Sequence, residues 1–301
     1  KGPGWRRHVP PALLLLAIGC GLVATARPMA VITLPLQQRT IILAMDVSGS
    51  MRATDVLPTR LIAAQEAAKA FVRKLPREVR VGVVAFAGTA ALVQAPTTSR
   101  EDIVAAIDRF QLQRATATGS GILVSLATLF PDDGIEIEEA TGQRRMPAPL
   151  DPARQKERER KASFQPVPPG SYTSAAIIML TDGQRTTGPD PIEAAKMAAD
   201  RGVRVYTVGI GTVQGDTIGF EGWSMRVRLD EATLKNIAVL TQAEYFYAGS
   251  AEDLMKVYES LSAKLVVERK ETEITAFFAA AGALLALLGA GLSVWWFGRV
   301  A

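Results

Sequence analysis

The sequence predicts an α/β protein with a doubly wound, mainly parallel sheet, flanked by membrane-spanning helices. Its 301 residues are enough for one large domain with additions. Short, wholly apolar runs such as TIILAM and AAIIML are typical of strands that are buried on both faces of a sheet. These runs alternate with segments whose apolar residues recur at helical spacing, and such alternation predicts a parallel sheet covered on both sides.

The first half of the central region predicts three strands and three helices. Pro76 and Pro131 end two of the helices, because proline cannot donate the amide hydrogen bond that a continuing helix needs. Ser99 followed by Asp102 is typical of a helix N-terminus. The predicted strands are Thr40–Met45, Val79–Phe86 and the short Ala91–Gln94, and the predicted helices are Arg60–Leu75, Ser99–Phe110 and Thr118–Phe130.

The second half continues the alternation. DTIGFEGWSMRVRL predicts a β-hairpin, and residues 131–170 predict a surface insertion because they lack apolar periodicity and carry a mixed-charge run. Such a run is more often a solvated face than a docking site for a partner. The predicted strands are Ala175–Leu180, Val203–Val208 and Glu244–Tyr247. The predicted helices are one that begins at Pro191 and is stopped by Gly202, Asp230–Thr241 and Ala251–Leu265.

Two apolar segments flank this region. Residues 274–298 are uncharged and exceed the roughly 20 residues that span a hydrocarbon core, so they predict a membrane helix. Small residues recur in this segment, which permits close helix packing but is also common in membrane helices. Residues 9–26 predict a second membrane helix, with a signal peptide or a lipoprotein cleavage site at Cys20 as the alternatives.

The net charge of +4 lies at the chain ends. Between residues 28 and 273, 29 basic residues balance 30 acidic ones, which argues against nucleic-acid binding. Lys1, Arg6 and Arg7 precede the first apolar segment, so the positive-inside rule predicts that the flank 1–8 is cytoplasmic and that the domain, residues 35–268, is periplasmic. Basic residues lie on both sides of the second segment, residues 274–298, so they do not clearly indicate which of its ends is cytoplasmic.

The central region contains neither cysteine nor histidine. Cys20 is the only cysteine of the chain and His8 its only histidine, and both lie near its start. A disulfide within the chain, a zinc–thiolate site and a Ser-His-Asp triad are therefore excluded.

Oxygen-bearing side chains follow two predicted strands and precede one predicted helix. Ligands of open parallel sheets bind at the carboxyl ends of the strands. Two carboxylates and three hydroxyls there suit a hard divalent cation such as Mg²⁺, with a position left for a carboxylate from another molecule. Each motif alone is also consistent with a turn or a helix cap, but their combination favours a site. The candidate metal ligands are Asp46, Ser48, Ser50, Thr116 and Asp182.

DVSGSM, RATATG and LTDG resemble the three parts of the metal-ion-dependent adhesion site of von Willebrand factor type A (VWA) domains. The resemblance implies that these five residues hold Mg²⁺ or Mn²⁺, directly or through water. It also implies that an Asp or Glu of a bound protein supplies the last ligand. Thr118 is the alternative to Thr116.

SMRATDVLPTRL, VVAFAGTA and GPDPIEAAKMAADRGVRVYTVGIG resemble bacterial Bat-type proteins. These are aerotolerance-associated inner-membrane proteins, usually encoded beside a MoxR-type AAA+ ATPase. The resemblance implies a membrane-anchored, Rossmann-like VWA domain whose partners are other Bat-type membrane proteins and, directly or through them, the ATPase. In that family an additional membrane helix typically precedes the one predicted here at residues 9–26, so we expect this chain to be part of a longer protein.

These observations favour a non-enzymatic module that binds proteins through a metal ion, in the assembly or stress tolerance of envelope complexes. A Mg²⁺-dependent phosphohydrolase is the alternative, but such enzymes generally need a second carboxylate two residues after the first, where this chain has Ser48. GIGTVQG suggests nucleotide binding, yet no helical pattern follows it. A glycine loop beside the metal site is the favoured interpretation.

Overall fold

The computed structural model describes residues 4–26, 29–32, 40–133, 135, 165–212, 214–220, 223–266, 270–273 and 275–298. The chain divides into two compact units. Unit 1 comprises Lys1–Pro35 and Val267–Ala301, and unit 2 comprises Leu36–Val266. Most of the predicted insertion, residues 131–170, lies outside the described residues.

The predicted strands and helices of the central region are all present, with ends that differ by at most three residues. The strands are β1 (Met29–Ile32), β2 (Thr40–Asp46), β3 (Arg80–Phe86), β4 (Ala90–Thr97), β5 (Ala175–Thr181), β6 (Arg204–Ile210), β7 (Asp216–Phe220), β8 (Trp223–Val227), β9 (Tyr245–Ala248) and β10 (Lys270–Glu273). The helices are α1 (Val9–Thr25), α2 (Arg60–Lys74), α3 (Arg100–Asp108), α4 (Thr118–Leu129), α5 (Pro191–Asp200), α6 (Glu231–Leu240), α7 (Ala251–Val266) and α8 (Thr275–Phe297).

Six strands of unit 2 form one sheet in the order β4-β3-β2-β5-β6-β9. β4 is antiparallel to β3 and every other neighbouring pair is parallel, which confirms the predicted fold class. Met45 of β2 lies opposite Leu180 of β5. The residues that follow these two strands therefore meet at one end of the sheet, the carboxyl edge.

Alternate residues of β2 face opposite sides of the sheet. Ile41 and Leu43 pack with residues of α2, α3 and α7, whereas Ile42 and Ala44 pack with residues of α4, α5 and α6. β2 is buried at every position from Ile41 to Asp46. Since each fully buried aliphatic side chain stabilises the fold by about 1.5–3 kcal/mol, the strand that carries Asp46 is firmly held.

β7 and β8 form the predicted hairpin, outside the main sheet. Ile218 and Val227 cluster with Ala53, from the loop that follows β2. The amide and hydroxyl of Thr54 donate to Oδ2 of Asp216 at 2.9 and 3.3 Å. These contacts place the hairpin beside the loop that carries Ser48 and Ser50.

Unit 1 contains α1, α8 and the antiparallel pair β1–β10. A Cβ atom added at Gly282 would lie 3.2 Å from the carbonyl oxygen of Ala17, and one at Gly289 would lie 3.3 Å from that of Pro10. The helices are therefore antiparallel and in close contact at these glycines. Thr275–Trp296 is long and apolar enough to cross a membrane, and α1, with 17 residues, is a shorter apolar helix.

We expect Gly282→Cys to form a disulfide bond with Cys20, the only natural cysteine, in the oxidised full-length chain. A Cβ at position 282 would lie 3.4 Å from the Cβ of Cys20, close to the roughly 3.5–4.5 Å that disulfides span. Gly291→Cys is the matched control, since no atom of the described residues lies within 4 Å of its added Cβ. Mass spectrometry of non-reduced peptides measures the link, and equal linkage at both positions would contradict the packing.

Candidate metal centre

Asp46 is the last residue of the central strand β2, and its side chain is fully buried. Its Oδ1 accepts a hydrogen bond from the backbone N–H of Ser48 at 2.8 Å. Its Oδ2 accepts one from the hydroxyl of Thr181, the last residue of β5, at 2.5 Å. The carboxylate is thus oriented by both of the strands that end at this point.

Ser48 and Ser50 lie on the tight turn after β2. Their Oγ atoms are 2.9 Å apart, and both residues are buried. The hydroxyl of Ser50 also hydrogen-bonds to the carboxylate of Asp182. These contacts connect the two carboxylate-bearing loops directly.

Asp182 follows β5 and is fully buried as well. Its Oδ1 accepts from the backbone N–H of Gln184 at 3.2 Å, and its Oδ2 from Nη1 of Arg60 at 3.2 Å. Gly183 adopts a φ of +81°, and an added Cβ would lie 2.7 Å from the carbonyl oxygen of Asp230. Glycine is required here because the positive φ and the close approach both disfavour a side chain.

Both aspartates are buried, and the charge of Asp182 disfavours the ionised form of Asp46. Burial, and then the neighbouring charge of Asp182, raise the pKa of Asp46 to about 7. Burial also raises the pKa of Asp182, against the opposing effects of Ser50 and Arg60. Two buried carboxylates this close need protons or a cation, so their arrangement favours cation binding near neutral pH.

Thr116 lies on a loop that hydrogen-bonds to both carboxylate loops. The N–H of Gln113, three residues earlier, donates to the carbonyl of Val47 at 2.8 Å. The N–H of Thr116 donates to Oγ1 of Thr186 at 2.7 Å, and its carbonyl accepts from the N–H of Thr186 at 2.9 Å. The structure therefore brings all three motifs together. Thr118 is also buried, and its hydroxyl has no hydrogen-bond partner within the described part of the chain.

Arg60 is the main feature of the site that the sequence did not predict. Its guanidinium is fully buried, and Nε and Nη2 each donate to Asp55 at 2.7 Å while Nη1 reaches Asp182. Asp55 also accepts from the N–H and hydroxyl of Thr212 at 2.9 and 3.0 Å. Although burial pushes the pKa of Asp55 upward, the bonds from Arg60 and Thr212 hold it below its usual value.

Thr212 belongs to the glycine-punctuated segment GIGTVQG. The segment therefore lies beside the candidate site through its contact with Asp55, as expected from the sequence. Gly211 has a φ of +122°, and an added Cβ would lie 2.6 Å from Cζ of Arg60. This glycine lets the loop close over the guanidinium.

Family models identify the domain. A model of the von Willebrand factor type A domain matches residues 41–184, and a second model of the same description matches residues 139–259. A UPF0353 protein of Nocardia farcinica is 35% identical over 281 residues, covering 88% of this chain and 75% of the relative. A UPF0353 protein of Mycolicibacterium vanbaalenii is 33% identical, covering 96% of this chain and 79% of the relative.

Solved structures share the fold. The conserved hypothetical protein BatB of Bacteroides thetaiotaomicron matches with a TM-score of 0.54 and 24% identity, over 75% of this chain and 99% of that one. An aerotolerance-related membrane protein of Bacteroides fragilis matches with a TM-score of 0.55 and 21% identity, over the same shares of the two chains. The chain therefore belongs to the UPF0353 family, and its larger unit is a VWA domain with the Bat-type fold that its motifs predicted.

Proposed function

We propose that the VWA domain binds partner proteins through a divalent cation, Mg²⁺ or Mn²⁺, held by Asp46, Ser48, Ser50, Thr116 and Asp182. The observation that carries the proposal is the pair of buried carboxylates at one edge of the sheet, connected through two serine hydroxyls. A cation between them would offset both their mutual repulsion and their burial.

The available ligands fit a hard divalent cation. All five donors are oxygens, which hard divalent cations prefer over nitrogen and sulfur. Only two of the donors are charged, so hydroxyls and water must complete the coordination shell of the cation. The hydroxyl of Thr118, which has no hydrogen-bond partner among the residues that the structure describes, is a candidate to bind such a water.

The cation supplies a Lewis-acidic position that a carboxylate of the partner can occupy. Because Mg²⁺ sites held by one or two carboxylates usually keep exchangeable waters, an incoming Asp or Glu can replace one of them. This makes partner binding dependent on the metal. No reaction is proposed for the site. A phosphohydrolase needs a second carboxylate two residues after the first, and this chain has Ser48 there, whose hydroxyl is hydrogen-bonded to that of Ser50.

We infer that unit 1 anchors the domain in the bacterial inner membrane, with α1 as a second span and the domain on the periplasmic side. The antiparallel packing of α1 and α8 supports this, because it brings the start of α1 and the end of α8 to the same end of the pair. The basic flank 1–8 adjoins that end in the sequence, and the positive-inside rule favours it as the cytoplasmic side.

The proposed partners are other Bat-type membrane proteins, in the assembly or stress tolerance of envelope complexes. A MoxR-type AAA+ ATPase is proposed as an indirect partner, because a cytoplasmic ATPase cannot contact a periplasmic domain. The shared fold with an aerotolerance-related membrane protein supports the Bat-type part of this proposal, whereas the link to the ATPase rests on the resemblance of the sequence motifs.

Capture of membrane proteins on the immobilised full chain tests the function. We expect one set of proteins to be retained with Mg²⁺, to be released by EDTA, and to be absent from an Asp46→Ala column. Asp200→Ala, which changes an exposed aspartate at the end of α5, is the control and should retain the set. Capture that persists in EDTA and on the Asp46→Ala column would contradict metal-dependent binding.

A further inference from the structure

The charged side chains that are buried in the described part of the chain all lie at the candidate metal centre. Among the residues that the structure describes, only Asp46, Arg60 and Asp182 are both charged and fully buried. Asp55 joins them, since its side chain is only 9% exposed and accepts two hydrogen bonds from the guanidinium of Arg60. We term these three carboxylates and one guanidinium the buried charge cluster.

Arg60 divides its hydrogen bonds unequally between the two acids that it contacts. Nε and Nη2 each donate to Asp55 at 2.7 Å, whereas a single bond of 3.2 Å joins Nη1 to Asp182. The bidentate pair is the stronger of the two arrangements. On another side, a Cβ atom added at Gly211 would lie 2.6 Å from Cζ of Arg60. Asp55 and the glycine loop therefore hold Arg60 as a fixed positive charge beside Asp182.

The charges of Arg60 and Asp55 act on Asp182 in opposite directions. Burial has the largest effect on the pKa of Asp182 and raises it. The positive charge of Arg60 opposes this rise, whereas the negative charge of Asp55 adds to it. A metal cation bound by Asp182 has the same sign of charge as the proton. It is therefore repelled by Arg60 and attracted by Asp55.

One divalent cation balances the charge of the cluster. Carboxylates that bind a metal ion must be ionised, and a guanidinium stays protonated in proteins. Although burial raises the pKa of Asp55, the bonds from Arg60 and Thr212 hold it below its usual value, so this acid is ionised as well. The cluster then carries two unbalanced negative charges, which a divalent cation neutralises.

We propose that Arg60 and Asp55, neither of which is a candidate ligand, set the affinity of the metal centre through their charges. Arg60 weakens the binding of the divalent cation, and Asp55 strengthens it by offsetting the charge of Arg60. This inference rests on the proposed metal-dependent function and adds how strongly the centre holds its ion. Removal of either charge alone changes the net charge of the cluster by one unit, whereas removal of both leaves it as in the wild type.

Isothermal titration of Mg²⁺ into the full chain in phosphatidylcholine nanodiscs at pH 8 tests the inference. We expect Arg60→Met to bind Mg²⁺ at least about tenfold more tightly than the wild type, and Asp55→Asn at least about tenfold more weakly. The double variant should bind within about threefold of the wild type. Arg73→Met and Asp200→Asn change exposed residues and are controls, which should alter the affinity less than about twofold.

The double variant distinguishes an effect of charge from a disruption of the loops. If the two residues only held the loops in place, the double variant would bind Mg²⁺ no better than the weaker single variant, and this result would overturn the inference. Circular dichroism verifies the fold of each variant. Should Arg60→Met not fold, the inference still requires weaker binding by Asp55→Asn and recovered binding by the double variant.

The wild-type titration separates the inference from the proposed function. If the wild type does not bind Mg²⁺, the proposed function fails and the inference fails with it. If the wild type binds Mg²⁺ but the two single variants shift the affinity in the same direction, or not at all, the inference is overturned and the metal-dependent function stands.

Discussion

Asp46→Ala abolishes the binding of Mg²⁺ while the fold is retained: this is the expected result with the largest effect on function. The side chain lies at the end of the central strand, and it supplies one of only two carboxylates among the five candidate ligands. With one carboxylate left, we expect the affinity to fall at least about 100-fold, to below detection. Isothermal titration calorimetry measures the affinity, and circular dichroism verifies the fold.

The ion-free Asp46→Ala protein should be no less stable than the wild type at pH 8. The pKa of Asp46 is about 7 in the folded state, above its ordinary value of 3.8, so the folded state binds the proton more tightly than the unfolded state. Protonated Asp46 therefore adds to the free energy of unfolding at low pH, and this contribution is lost as the pH rises from about 4 through 7. Above pH 7 the ionised carboxylate lowers the free energy of unfolding of the ion-free protein by an amount on the order of a few kcal/mol. Asp46→Ala removes this unfavourable charge.

The same pKa predicts how the metal affinity depends on pH. Because the ion must displace the proton held by the aspartate pair, Mg²⁺ binding should weaken below pH 7, by up to about tenfold per unit of pH. Asp200→Ala, at an exposed position, should bind Mg²⁺ as the wild type does. Wild-type affinity in Asp46→Ala would remove this aspartate from the site.

Arg60→Met is expected to destabilise the protein by about 3–5 kcal/mol, the usual cost of leaving buried charges unpaired. The guanidinium is fully buried and bridges Asp55 and Asp182, while Gly211 packs against it from above. Methionine fills much of the volume but cannot donate to either carboxylate. Urea denaturation of the ion-free protein measures the loss.

Matched variants separate this charge effect from packing. Arg73→Met, at an exposed position of the same helix, should change the free energy of unfolding by less than about 0.5 kcal/mol. Arg60→Met combined with Asp55→Asn should cost less than the sum of the single changes, because the removed partners form one pair. Additive losses, or an Arg60→Met protein as stable as the wild type, would show that the buried arginine does not hold the two loops together.

Much of the fold followed from local patterns. The apolar runs that end at Met45 and Leu180 are strands because they are buried on both faces, and the proline and capping signals placed the helix ends within a few residues. β4 extends three residues beyond its prediction, to Thr97. It is an edge strand that is only partly buried, so its apolar pattern is weak.

The sequence by itself determined which residues could form a site: Asp46, Ser48 and Ser50 on one loop, and Asp182 at the end of another strand. Whether they meet was decided by the tertiary structure, through the pairing of β2 with β5 that brings both strand ends to one edge. Only the tertiary structure revealed Arg60, which in the sequence is an ordinary first residue of an amphipathic helix. Its burial depends on carboxylates 5 and 122 residues away along the chain, and no local pattern reports such long-range pairing.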